Sequence, residues 1–145
     1  WSAPLMPENR AKSARLIRAA ECGLTDTDYP SISIGNLSSH RAVSQKLGRD
    51  LSALRWRTNI WLDGLAPWEE FDWIGRIIEI GEVQFEICER VQRCLATTAN
   101  PETGRRDADT LGILQTWDHQ DFCVYARVLN TGTIHLNDSA KAPNP

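Results

Sequence analysis

Residues 91–107 read VQRCLATTANPETGRRD and gather more chemistry-bearing side chains than any other stretch of the chain. Cys94 follows Arg93 where an alternating, strand-like run ends. Thr97, Thr98, Asn100, Pro101, Glu102 and Gly104 then form a polar loop, closed by Arg105, Arg106 and Asp107. Asn-Pro and Thr-Gly mark turns within it. A structural turn needs the proline and the glycine, but not a thiol, hydroxyls, an amide and several guanidiniums. A thiolate is both a soft metal ligand and a nucleophile. A neighbouring arginine favours the thiolate over the thiol.

The pattern RC-x-x-TT-x-x-P-x-TG, carried by residues 93–104, resembles the cysteine loop of the MOSC family, the molybdenum-cofactor sulfurase C-terminal domain. The likeness extends upstream through Arg55-Trp56-Arg57-Thr58-Asn59-Ile60 and Asp63-Gly64-Leu65. Downstream it runs from Asp121–Tyr125 to Gly132–Asp138, so that it covers roughly the last three quarters of the chain. It implies that Cys94 is the catalytic residue and the metal ligand, on molybdenum held by a pterin dithiolene (the molybdenum cofactor). Arg57, Asn59 and Arg93 would hold the pterin and its phosphate, while Thr97, Thr98 and Asn100 shape the loop. Asn36 and Ser39 are further candidates, at a strand-to-helix junction that lies near the cofactor in the family. The amidoxime-reducing members imply an oxidoreductase acting on small N-hydroxylated substrates, with electrons from a separate protein. As the alternative, the family also implies a sulfur carrier with a persulfide on Cys94, pyridoxal phosphate then belonging only to a partner protein. This chain departs from the family in two places. Phe122-Cys123-Val124-Tyr125 stands where Phe-Gly-Val-Tyr is usual, and Asn137-Asp138 stands for Gly-Asp. Lys12-Ser13 lacks the flanking pattern of the family's N-terminal phosphate site, and no role is carried to it.

The 145 residues suit one domain, expected at 31–138. Residues 1–30 are expected to be a remnant or linker from a missing N-terminal region, and 139–145 a flexible tail. Apolar residues make up 41% and include six Trp, enough for a core with large anchors. No apolar run reaches the ~18–20 residues of a membrane span. A net charge of −3 argues against general nucleic-acid binding. Arg49, Arg55, Arg57, Arg93, Arg105 and Arg106 nevertheless cluster around the motifs, as a small anionic ligand would require. For Arg105 and Arg106 an ordinary pairing with Glu86, Glu89 or Asp107 is an equal reading. Cysteines 22, 88, 94 and 123 show no paired spacing. They read as reduced thiols of a cytoplasmic protein rather than a zinc site. A cysteine hydrolase using His119 or His135 lacks any nucleophile-elbow pattern.

These side chains need positioning elements. Ser31–Ile34 alternates as a strand, and a helix over His40–Leu47 is expected with Ser38 or Ser39 as cap and Gly48 at its end. Arg55–Leu62 reads as a strand, which would put Arg57 and Asn59 on one face. A planar five-donor fork beside an amide suits a phosphate and a pterin edge. Ala66–Ile74 reads as an aromatic loop with Glu69, Glu70 and Asp72 exposed. Arg76–Ile80 and Glu82–Glu89 form a hairpin, and Leu111, Leu114 and Trp117 a helix started by Asp107 or Asp109. Asp121–Leu129 and Thr133–Leu136 are expected strands. Together these predict a mainly β fold, a barrel with a few short helices. The resemblance implies a MOSC-type barrel like that of pyruvate kinase. Its exposed barrel edges are a route to a homodimer.

Overall fold

The computed structural model describes residues 8, 12–15, 17–18 and 25–141. The Ala14–Ala20 reading, Cys22 and the end of the tail fall largely outside them. The chain divides into two units, Trp1–Pro30 and Ser31–Pro145. Within the first, the Thr25 and Thr27 hydroxyls both donate to the Tyr29 carbonyl, at 2.9 and 2.6 Å, closing a local turn.

Among the described residues the second unit holds six strands and two α-helices. In chain order these are β1 (Ile32–Asn36), α1 (Leu37–Leu47), β2 (Ile60–Leu62), β3 (Ile77–Ile80), β4 (Val83–Gln92), α2 (Thr110–Gln115), β5 (Asp121–Val128) and β6 (Ala140–Lys141). Short 3-10 turns stand at Ala53–Trp56, Glu69–Trp73 and Leu95–Thr98. The sheet order is β2-β1-β5-β4-β3-β6. Only β1 and β2 run parallel. The sheet curls into a nearly closed barrel, as expected from the strand spacing. Its edges β2 and β6 flank one cleft, lined also by residues 134–139.

Two apolar clusters follow from the strand phases. Ile34, Phe71, Ile78, Phe85, Ile87 and Val124 belong to one, and Val43, Trp56, Val91, Leu114, Phe122 and Cys123 to the other. β4 serves both because its register against β5 shifts twice, between Ile87 and Glu89 and between Arg90 and Gln92. Such bulges bend a strand and re-aim its side chains. β4 thus begins in the first cluster and ends beneath the cysteine loop.

α1 starts at Leu37, capped by Asn36, whose side chain accepts from the Ser38 N–H at 2.8 Å. The expected serine caps are displaced because the Ser39 hydroxyl is engaged elsewhere. Gly48 ends the helix at φ 71, a conformation that glycine adopts without steric cost. Asp109 caps α2 by accepting from the Gly112 N–H.

Three expectations are corrected. Arg55–Leu62 is not one strand: Ala53–Trp56 is a 3-10 turn, Arg57 has φ 52, and β2 begins only at Ile60. Arg57 and Asn59 therefore do not share a strand face. The cause is burial of the turn's anchors. Trp56 stacks on Phe122 with centroids 3.9 Å apart, and its indole N–H donates to His40 Nδ1 at 3.0 Å. Second, Thr133–Leu136 forms no strand. Side chains satisfy its backbone instead, with Glu82 accepting from the Thr133 N–H and Asp138 from the His135 N–H. The edge beside β3 is taken by Ala140–Lys141, within the segment expected as a tail. Third, Glu70 is fully buried rather than solvated with Glu69 and Asp72.

Candidate functional site: the cysteine loop

β4 ends at Gln92, and the Arg93 N–H donates to the Gln120 carbonyl at 2.9 Å, tying the chain to the start of β5. Cys94 follows, exposed, with φ −111 and ψ 178. Its carbonyl accepts from the Thr97 N–H at 3.2 Å and from Thr97 Oγ1 at 3.1 Å. The backbone of Cys94 is therefore held while its thiol faces outward. Thr97 Oγ1 also lies 2.7 Å from Thr110 Oγ1 at the start of α2. Because the Thr97 hydroxyl proton goes to the Cys94 carbonyl, Thr110 is the donor in that pair. Thr98 Oγ1 donates to the Leu95 carbonyl at 2.7 Å. Both threonines are buried and shape the loop from inside.

Asn100 closes the far half. Its Oδ1 accepts from the Glu102 N–H at 2.8 Å and its Nδ2 donates to Asp107 Oδ2 at 3.1 Å. Its backbone pairs with Arg105 and Gly104, the latter at φ 69. Arg105 and Arg106 are exposed.

Arg93 turns back under the loop. Its Nε donates to the Phe122 carbonyl at 2.9 Å and its Nη1 to the Trp56 carbonyl at 3.0 Å. Its Nη2 is buried without a hydrogen-bond partner among the described residues. Beneath it, burial pushes the Cys123 thiol up to about 11, an effect that the Arg93 charge opposes. Cys123 has φ 71, the left-handed conformation that suits the glycine usual at this position, and its sulfur lies 2.9 Å from Thr58 Oγ1.

Arg55, placed by the sequence in a basic cluster and at the head of the upstream motif but given no site role, is buried against the loop. Its Nη1 donates to the Thr98 carbonyl at 3.1 Å and, at 3.5 Å, to that of Thr97. Its Nη2 pairs with Asp107 Oδ1 at 2.5 Å. That bond is the main cause holding the Asp107 carboxyl below the ordinary carboxylate range. Arg49 Nη2 donates to the Asp107 carbonyl at 2.6 Å.

Cys94, Arg93, Thr97, Thr98 and Asn100 thus share one loop. Arg57 is exposed and directly follows the turn that packs on it. Asn59 is committed to β1, its Oδ1 accepting from Ser33 N–H and Oγ at 2.8 and 3.0 Å. Asn36 and Ser39 belong to a separate buried network. Asn36 Nδ2 and Ser39 Oγ donate to the Glu70 carboxylate at 2.8 and 2.9 Å, and Ser39 Oγ accepts from the Trp68 N–H. Burial raises the Glu70 carboxyl above its usual value, against those hydrogen bonds. Among the described residues no three His, Cys, Asp or Glu side chains converge as metal ligands. No described helix is long and apolar enough to cross a membrane.

A family model for the MOSC domain matches residues 26–141. The chain is 26% identical over 148 residues to mitochondrial amidoxime-reducing component 1 of Mus musculus, covering 91% of this chain and 43% of that protein. It is 34% identical over 105 residues to molybdenum cofactor sulfurase of Drosophila grimshawi, covering 67% of this chain and 13% of that protein. The chain thus spans less than half the length of these curated relatives. The crystal structure of YiiM from Geobacillus stearothermophilus superposes with a TM-score of 0.58 at 20% identity, over 78% of this chain and 54% of that one. Barrel, cysteine loop and family match coincide over the same residues, and the chain belongs to the MOSC domain family.

Proposed function

We propose that this chain is the cofactor-bearing part of a molybdenum oxidoreductase reducing small N-hydroxylated compounds, with Cys94 as the protein's ligand to molybdenum. The observation that carries the reading is the state of Cys94. It is the exposed thiol among the three described cysteines, on a loop whose backbone is held by buried hydroxyls. A relative named for amidoxime reduction and another named for the molybdenum cofactor support it.

The donor set fits the group. One soft thiolate suffices where a pterin dithiolene brings the other sulfurs. Among the described residues Arg93, next to Cys94 in sequence, has a buried Nη2 without a partner at hydrogen-bond geometry. Arg57 offers an exposed guanidinium for a phosphate, the bidentate task to which arginine is suited. Thr97, Thr98 and Asn100 keep the loop's shape, and Asn59, Asn36 and Ser39 support the elements behind it. The bound cofactor supplies the redox centre, while these residues supply orientation and electrostatics. Electrons come from a separate protein. The described cysteines are free, as in a reducing compartment such as the cytoplasm.

A second reading, a sulfur carrier with a persulfide on Cys94, is favoured by the sulfurase relative and by the same exposed thiol. Metal and pterin analysis separates the two. In protein from molybdate-fed cells, molybdenum is expected near one per chain and lost in Cys94→Ser. Full retention of molybdenum by Cys94→Ser would sink the ligand role. A cyanide-labile sulfur on Cys94 with no molybdenum would establish the carrier instead.

A further inference from the structure

We infer that Arg55 is the positioning residue for Cys94, its fork and the adjoining Trp56 carbonyl holding the chain on both sides of the thiol. After Cys94, Arg55 Nη1 reaches the carbonyls of Thr98 and Thr97, which end the 3-10 turn that Cys94 begins. Carbonyls at the end of such a turn lack partners within it. Through Nη2 the same guanidinium grips Asp107, which closes the loop and holds Asn100. Before Cys94, the Trp56 carbonyl accepts from Arg93 Nη1 at 3.0 Å. Two consecutive residues thus bracket Cys94, touching residues 93, 97, 98 and 107.

The bracket is itself anchored. Trp56 is fully buried, stacked on Phe122 and bonded to His40. The Arg55 side chain is only 3% exposed, which excludes it as a direct contact for a ligand arriving from solvent. Among the described residues no hydrogen bond or ion pair fixes the Cys94 sulfur, so its position is inherited from the backbone on either side. A planar guanidinium reaches two carbonyls and a carboxylate in one fixed geometry, whereas a lysine ammonium cannot. The role of Arg55 adds to the ligand reading of Cys94 and rests on it for its purpose. The order it imposes on the loop is measurable without metal.

The experiment attaches a trifluoromethyl probe to Cys94 in metal-free protein carrying Cys22→Ser and Cys88→Ser, and follows it by fluorine NMR. The parent is expected to give one narrow resonance. Arg55→Lys is expected to give broadened or multiple resonances, with a lowered melting temperature but a cooperative fold retained. Amide exchange at Asp107 and Ala108, both bonded to the Thr98 carbonyl, should quicken at least ~10-fold while β4 and β5 amides hold. Added guanidinium should sharpen the resonance in Arg55→Ala. Should Arg55 variants fail to fold, Asp107→Asn tests the same grip from the other side and is expected to broaden the probe likewise. A narrow, unmoved resonance with unchanged loop exchange in a folded variant would overturn the positioning role. Loss of molybdenum binding to Cys94 in an otherwise ordered loop would instead strike the functional reading and leave Arg55's role standing.

Discussion

Cys94 and Cys123 show how much a thiol's chemistry depends on its surroundings. Cys94 faces solvent, whereas Cys123 is sealed in the core with its proton held to about 11. Cys123 also carries a side chain at φ 71, which costs a non-glycine residue about 1–2 kcal/mol. Cys123→Gly relieves that strain but loses buried sulfur, whereas Cys123→Ala loses the sulfur and keeps the strain. Urea titration is expected to find the glycine variant the more stable of the two by about 1 kcal/mol. Arg57 is the exposed guanidinium after the bracketing turn. Arg57→Ala is expected to lower cofactor retention at least ~10-fold, as loss of a charge-assisted contact would, with a melting temperature near that of the parent. Equal losses in both would make Arg57 structural. His40 accepts from the Trp56 indole, which only donates, and its Nε2 lies 3.1 Å from the Leu51 carbonyl, which only accepts. The ring is therefore neutral, protonated at Nε2, and burial holds it below the ordinary 6.5. Of the charges around it, Arg41 lowers it further and Asp50 opposes. A lowered histidine leaves the unfolded chain binding more protons once the pH falls below 6.5. Stability should thus decline from there down through the folded value. Thermal melts across that range should show the slope, and His40→Gln should remove part of it, with His119, likewise depressed by burial, supplying the rest.

Elements were legible where periodicity and punctuation agreed. The β3–β4 hairpin, the αL glycine after α1 and the aspartate cap of α2 all follow from local chemistry. The segment 53–62 was not legible, because a buried arginine on carbonyls of residues 97–98 leaves no periodic trace. Glu70 was missed for a similar reason: an acidic residue beside Glu69 and Asp72 resembles a solvated run. Its burial depends on Asn36 and Ser39, more than thirty residues away. The carboxylate joins the start of α1 to the Glu69–Trp73 turn. Glu70→Ala takes the acceptor from the Ser39 hydroxyl and from one N–H of Asn36, whose other N–H keeps the Ala66 carbonyl, and is expected to cost about 3 kcal/mol, measurable by denaturant unfolding. A cost below about 1 kcal/mol would show that the neighbours re-pair or hydrate.

At the scale of the molecule, the cysteine loop was readable as a motif, whereas what holds it was not. The motif is contiguous, but its supports come from the turn at 53–56 and the start of α2. The barrel closes except between β2 and β6, strands of three and two residues. Short edges limit pairing with other chains but do not abolish it. Sedimentation velocity over a dilution series is expected to show weak self-association that dissolves on dilution. A monomer at every concentration would show the edges to be sufficiently guarded.

Gly35 stands opposite Cys123 in the β1–β5 pairing, one step beyond Ile34 and Val124. A Cβ at Gly35 would lie 2.8 Å from the Cys123 sulfur. The space that admits a side chain on β5 is the space that glycine vacates on β1. The two positions therefore form one unit of inheritance: a lineage can carry bulk at 123 only while 35 stays bare. A homologue with glycine at 123 loses the closest of the contacts forbidding alanine at 35, but Thr58 Cγ2 at 3.0 Å and Trp61 Cζ3 at 3.1 Å still crowd that site, so bulk at 123 is freer to come and go than bulk at 35.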